Sequence, residues 1–376
     1  MAVAERVLVV GGGIGGLSAS IALAHEGVEV DLVELNPRWS VEGVGIIQPA
    51  NALRAFDAIG LADAVLEAGF AIAGRRFHDA DGSIRGDVDL HTPAGSRFPP
   101  INGIARPALH RILQDAAASD GVRVELGQSC ASIAAHAGGV DVTLADGAQR
   151  TYDLVVGADG IGSRTRAQAF DAELTPAFSG QVVWRYNVPR PKDVDRLELY
   201  VGERSKAGVV PISDELMYVL LIEQPRPGPL RLPEAELAGL MRERLAQYGG
   251  RIAGIRDEYI TEAREVVYRP VDTVWVPGPW YRDRVVLIGD AAHATSPHLA
   301  QGAAQAIEDA VLLGELVGAA RRLGDALAEH YARRLPRVRT VVEGSNQIAA
   351  AELRGDDEVD HVHVHGAVAR AMAEPL

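Results

Sequence analysis

The sequence predicts an α/β protein. It has a Rossmann-like nucleotide-binding domain, a discontinuous second α+β domain that is mostly antiparallel sheet, and C-terminal helices. Three observations predict this. Residues 6–34 read as strand, glycine turn, helix and strand. Far downstream, Val285–Ile288 is another apolar run, ending in Gly289-Asp290-Ala291-Ala292-His293. Between the two, residues 180–223 are rich in strand-like segments.

Taken in order, Arg6–Val10 is a buried strand, Gly11–Gly16 the turn, Leu17–Glu26 a helix stopped near Gly27, and Val28–Glu34 a strand. Ala50–Ile59 and Leu61–Ala68 are helical around Gly60. From Gly74 to Pro100 the chain breaks into short segments rich in Gly, Pro and Asp. Pro107–Ala118 is a helix, and Val122–Leu126, Ile133–Ala135 and Val140–Leu144 form a meander with Asp146-Gly147 as a turn. Thr151–Val156 is a strand running into Gly157-Ala158-Asp159-Gly160. Gln181–Val188, Leu197–Val201, Ala207–Pro211 and Leu216–Ile222 are strands, Pro225–Pro229 is a turn or linker, and Pro233–Tyr248 is a helix. Helix resumes near Gly302 and again over Ala326–Arg334 and Arg337–Leu353. The expected division is 1–73, 101–174 and 266–345 for nucleotide binding, and 74–100 and 175–265 for substrate. Residues 346–376 form a C-terminal helix and tail.

At 376 residues with 47% apolar content, the chain can build two cores. A net charge of −14 argues against a general nucleic-acid binder, which needs clustered Lys and Arg. Cys130 is the only cysteine, which fits a reducing cytoplasm, and no basic stretch leads into a hydrophobic signal core. No segment reaches the ~20 apolar residues of a membrane span. The expected protein is therefore cytoplasmic, without an integral membrane segment, and a monomer or homodimer.

Each glycine signal carries chemistry. Gly11 allows a tight turn, Gly13 lets the backbone approach a pyrophosphate, and Gly16 permits close helix–strand packing. The following helix start, through Ile14 and Gly15, offers free amides to phosphate. Glu34, at the end of the second strand, is placed to accept ribose hydroxyls. Asp290 is placed to hold hydroxyls of a ribityl chain, and the helix beginning at Gly302 aims its positive end at the ring edge where charge collects on reduction. Two such signals in this order suit one extended dinucleotide held at both ends, FAD rather than NAD.

With Gly157-Ala158-Asp159-Gly160-Ile161-Gly162-Ser163 and Arg166 in the middle, then Pro297, Gln301-Gly302 and Glu308-Asp309-Ala310, the chain resembles the single-component FAD-dependent aromatic-ring hydroxylases, the p-hydroxybenzoate hydroxylase group. The likeness runs from residue 6 to about 345. It implies that Asp159 and Gly160 approach the FAD pyrophosphate and the passing nicotinamide, and that Arg106 contacts FAD. It implies that Gly45-Ile46 runs beside the isoalloxazine, that Pro297 stands next to the site of oxygen activation, and that Gln301 and Gly302 bind the cofactor. The implied reaction is reduction of the flavin by NADH or NADPH, addition of O2 to give a C4a-hydroperoxyflavin, and hydroxylation of a small aromatic or N-heteroaromatic ring.

Departures bear on the substrate. Relatives that hydroxylate pyridines carry a histidine after Gly-Ile, whereas Gly45-Ile46-Ile47-Gln48-Pro49 offers Gln48, a hydrogen-bonding group but no base. The usual Pro-x-x-Gly-Gln-Gly becomes Pro297-His298-Leu299-Ala300-Gln301-Gly302. Gln181, Val183, Arg185 and Asn187 share one strand face, and Val182, Trp184 and Tyr186 the other; one of the two faces the substrate. Lys206 and Tyr218 resemble by position an arginine and a tyrosine that grip urate in the flavin-dependent urate hydroxylase, with a solvated lysine and a packed tyrosine as the alternatives. His298 is a base or a surface-loop histidine; Val183, Val209, Val210, Leu220 and Ile222 are expected as apolar walls. His361, His363 and His365 alternate with valines in what reads as an extended or fraying tail, and no metal site is expected. An oxygenase of a larger natural product, a flavin dehydrogenase and a flavin-binding module without oxygenation remain as other readings.

Overall fold

Val7, Leu8 and Val9 are buried on both faces, and the strand they form, Arg6–Val10, lies inside a six-stranded sheet. The computed structural model describes residues 2–41, 43–92, 95–227, 230–355 and 361–376. The strand order is Tyr281–Arg282, Val285–Leu287, Leu154–Gly157, Arg6–Val10, Glu29–Glu34, Arg123–Leu126, parallel except at the Tyr281–Arg282 edge. The chain leaves Arg6–Val10 towards Glu29–Glu34 on one side and returns at Leu154–Gly157 on the other. The strand order therefore reverses there, which opens a crevice at the carboxyl ends. All three motif loops follow these neighbouring strand ends.

Helix Ile14–His25 packs against helix Gly302–Ala319, close enough that a methyl at Gly314 would lie 2.7 Å from Ala22 Cβ. Cys130–His136, Gly139–Leu144 and Gln149–Tyr152 form a separate antiparallel sheet whose Val140, Val142 and Leu144 cover Leu8 and Val10.

The second large sheet has seven strands, in the order Val267–Thr273, Ala177–Pro189, Leu216–Glu223, Ser205–Pro211, Leu197–Val201, Gly74–Asp79, Ile84–Asp89. Val182, Trp184, Tyr186, Val209, Val219 and Leu221 are buried with residues of helices Leu237–Leu245 and Gly250–Glu258. The opposite face carries Gln181, Val183, Arg185, Lys206, Tyr218 and Leu220. A three-stranded sheet of Gly45–Pro49, Ile101–Ala105 and Phe70–Ile72 packs against one end of that face.

Several expectations are corrected. The segment after Gly74 is a hairpin, Gly74–Asp79 and Ile84–Asp89, joined to the large sheet by parallel pairing with Leu197–Val201. Its outer strand is exposed throughout, so no apolar alternation marked it. Pro233–Tyr248 is a shorter helix preceded by a 3₁₀ turn, and Gly250–Glu258 and strand Val267–Thr273 were not foreseen. Leu323–Arg354 is one helix despite Pro336 within it. Val209 belongs to the helix-covered face, not to a substrate wall. Residues from His361 form a helix, His361–Ala373, instead of an extended tail. The side chain of His361 lies outside the described residues.

Candidate functional site

The crevice begins at the glycine turn. Gly11 has φ +107, and a Cβ there would meet Ala158 O at 2.5 Å; one at Gly16 would meet Gly11 O at 1.9 Å. Space at Gly13 is open. The Ile14–His25 helix has Gly13 at its N-cap with no side-chain cap, so its first amides face the crevice without an intrahelical acceptor. The Gly302–Ala319 helix likewise starts at Gln301 with no side-chain cap. Two bare helix N-termini beside one crevice form a cradle for a diphosphate and an electron-rich ring edge. The residues fit a dinucleotide.

Supporting side chains set the loop. Glu34 accepts the Gly12 amide at 2.7 Å and the Asn36 amide at 2.6 Å. The Gly12 carbonyl meets Trp39 Nε1 at 3.1 Å and His110 Nε2 at 2.8 Å. Asp159 accepts from the Ser163 hydroxyl at 2.5 Å and the Thr165 amide at 3.0 Å, which ties its loop to helix Arg164–Ala169. Buried Arg166 donates to Ile161 O, Leu174 O and Ala291 O, joining the middle motif to the Gly289 loop.

Gly289 has φ +56 and approaches Ala306. Its amide donates to Asp309, whose carboxylate also holds His293 and Arg334. Glu308 takes Arg334, Arg337 and Asn51. Burial works to raise the Asp309 carboxyl, but His293 and Arg334 outweigh it and hold it far below the usual range. Asp290 is walled by protein yet keeps an open surface on the crevice; enclosure pushes its carboxyl up, opposed by His293 and Arg106. Gln301 turns its carboxamide inward, exchanging hydrogen bonds with Asn51 at 3.1 and 3.2 Å, and so fixes the start of the Gly302 helix. Pro297 opens a 3₁₀ turn that ends at Ala300 in the left-handed region, φ +54.

Across from these loops, Gly45 lies so close to Tyr218 that a Cβ would be 2.6 Å from its ring. Tyr218, Arg185 and Arg106 act on one another electrostatically: burial pushes the tyrosine hydroxyl up and the Arg106 guanidinium down. Gln48 is fully buried, and neither its nitrogen nor its oxygen has a partner among the described residues. Val183, Leu220, Ile222 and Val271 form an apolar floor on the same sheet face.

Lys206 is not a solvated side chain. Its Nζ lies 2.5 Å from Glu352 Oε1, while Glu352 Oε2 is 3.0 Å from Gln181 Nε2 and 2.9 Å from His298 Nε2. His298 is not on the surface either; its ring is enclosed, with Nδ1 2.8 Å from Ser296 Oγ. The structure thus gathers Lys206 and His298 around a carboxylate that the sequence reading missed. Tyr218 stands apart from them, at the Gly45 end. Among the described residues no cluster suits a metal ion.

The FAD binding domain family model matches residues 5–345. Aurachin C monooxygenase/isomerase of Stigmatella aurantiaca is 32% identical over 345 residues, 91% of this chain and 88% of that one. The 2-heptyl-3-hydroxy-4(1H)-quinolone synthase of Pseudomonas aeruginosa is 34% identical over 316 residues, covering 82% and 80%. The crystal structure of Klebsiella pneumoniae HpxO complexed with FAD and uric acid superposes with a TM-score of 0.85 at 23% identity, over 99% of this chain and 93% of that one, which shows a shared fold.

Proposed function

The chain belongs to the FAD binding domain family, among the FAD-dependent monooxygenases, and from that premise we propose that it hydroxylates a small aromatic or N-heteroaromatic ring at the expense of NADH or NADPH and O2. The observation that carries the reading is the meeting, in one crevice, of two uncapped helix starts, three motif loops and an apolar sheet face. The quinolone in the name of the synthase and the uric acid of the HpxO complex favour a nitrogen heterocycle.

In this reading the amides of Gly13, Ile14, Gly15 and Gly16 bind the pyrophosphate, with the backbone of Asp159 and Gly160 alongside and the Asp159 carboxylate holding that loop through Ser163 and Thr165. Glu34 holds the ribose, Asp290 the ribityl hydroxyls, and Arg106 lies against the cofactor. FAD, when bound, supplies two-electron chemistry and activation of oxygen by the route set out above. The start of the Gly302 helix would aim its positive end at the ring edge, and Pro297 would border the oxygen side. Val183, Leu220 and Ile222 exclude water. Gln48 and Tyr218 hydrogen-bond the bound rings. Enclosed His298 acts through Glu352, not as a base touching the ring. The proposed nucleotide-binding segments are 1–73, 101–174 and 266–345, with 74–100 and 175–265 for substrate and 346–376 as a C-terminal helix and tail. Purified protein reconstituted with FAD tests the reading: ring compounds should accelerate NAD(P)H oxidation and emerge oxygenated.

A further inference from the structure

We propose that Glu352 sets the charge preference of the ring pocket: by neutralising Lys206 it makes that end select an uncharged, donor-bearing ring over a carboxylated one. This rests on the ring-binding reading above.

Lys206 sits opposite Ile222 in the large sheet, and Val210 sits opposite Tyr218. Four residues of strand separate the two pairs, a span of roughly 13 Å. Val183, Leu220 and Ile222 pave the space between. The pocket floor is therefore apolar, with Tyr218 and Arg185 towards one end and Lys206 at the other.

A lone lysine at the end of an apolar floor would be an anchor for a substrate carboxylate. Here the position is already filled by a carboxylate of the protein itself. Glu352 belongs to the last turn of Leu323–Arg354, far from Lys206 in sequence, and the helix end is fastened to the sheet. Gln224 Nε2 donates to Leu353 O at 2.7 Å, and a Cβ on Gly180 would lie 3.2 Å from Leu353. The carboxylate is also oriented from three sides, by Lys206, Gln181 and His298. Burial works to raise its pKa, but the His298 hydrogen bond and the Lys206 charge outweigh that and hold it at about 2, so it stays ionised near neutral pH.

An arriving carboxylate would meet this fixed negative charge as closely as it met the ammonium. An N–H or O–H group would instead find an acceptor. Arg185, which has no ion pair among the described residues, leaves the Tyr218 end as the place for an ionised ring oxygen.

The test uses FAD-loaded protein and matched probes differing by one carboxylate: 4-hydroxyquinoline against 4-hydroxyquinoline-2-carboxylate, and phenol against 4-hydroxybenzoate. Dissociation constants come from the change in flavin absorbance on titration. Glu352→Gln should shift the affinity ratio towards the carboxylated member by about tenfold or more, because it uncovers Lys206. Lys206→Gln should shift it the other way. The double variant, which removes both the lysine and the glutamate charge, should return to within about threefold of the wild type, and it controls for loss of folding. Ratios unchanged within about twofold in all three variants, or equal losses for both members of a pair, would overturn the proposal while leaving the ring-binding reading intact. If no probe perturbs the wild-type flavin, the ring-binding reading fails, and this inference with it.

Discussion

Asp309 lies beneath Gly289, accepting its backbone amide at 2.8 Å from a fully buried position. The same oxygen meets His293 at 2.7 Å, and the other meets Arg334 at 2.7 Å. A buried ion pair thus clamps the turn that delivers Asp290 to the crevice. Asp309→Asn leaves Arg334 under-compensated and the turn loosened. The expected cost is about 3 kcal/mol of stability, with loss of FAD during gel filtration; chemical denaturation and flavin absorbance measure both. A variant as stable as the wild type that retains FAD would contradict the clamp.

Acid should weaken the fold in two identifiable steps. His330 is buried near Asp309, and burial depresses its pKa from 6.5 to about 4, so the folded state prefers the neutral ring. Its contribution is complete above about pH 6.5 and lost as pH falls towards 4. Glu352 is depressed from 4.5 to about 2, so its contribution is complete above about pH 4.5 and lost towards 2. Each is worth on the order of 3 kcal/mol across its window. Unfolding free energies against pH should flatten over 4–6.5 in His330→Gln and below 4.5 in Glu352→Gln. Parallel curves for variant and wild type would count against the assignment.

Ala300 stands at φ +54 and ψ 31, where a side chain costs roughly 1–2 kcal/mol. Glycine relieves that strain but gives back about 0.5–1 kcal/mol through the unfolded chain. Ala300→Gly should therefore stabilise the protein by about 0.5–1 kcal/mol. A lower melting temperature would show that the methyl contributes packing instead.

Much of this site was legible in the sequence, because its loops depend on backbone positions few residues can occupy. Gly11 and Gly16 are required by contacts with Ala158 and Gly11 itself, and such requirements leave a mark on the chain. The alternation of Gln181–Val188 gave two strand faces, but choosing between them needed the helices that bury Trp184 and Tyr186. Glu352 was not legible. A glutamate near a helix end reads as solvent-facing, and its partner Lys206 is 146 residues away. The Ile84–Asp89 strand left no pattern because neither of its faces is buried.

Gln48 gives a prediction with opposite signs in two states. Its buried carboxamide, unpaired among the described residues, costs stability in the ligand-free protein and should gain a partner when the rings are bound. Gln48→Leu should raise the stability of the apoprotein by about 1 kcal/mol while weakening ligand binding about fivefold or more. Calorimetry without ligand and flavin titration with it separate the two. A variant that loses stability without ligand would show that Gln48 already has a partner.

NADH and NADPH oxidation by FAD-loaded protein, with and without phenols, hydroxypyridines, purines and hydroxyquinolines and followed by product mass, decides whether the protein is a ring hydroxylase. At least one ring, most readily an uncharged nitrogen heterocycle, should accelerate oxidation and return heavier by one oxygen atom. Reduction of dye acceptors with no oxygenated product from any ring would contradict that assignment.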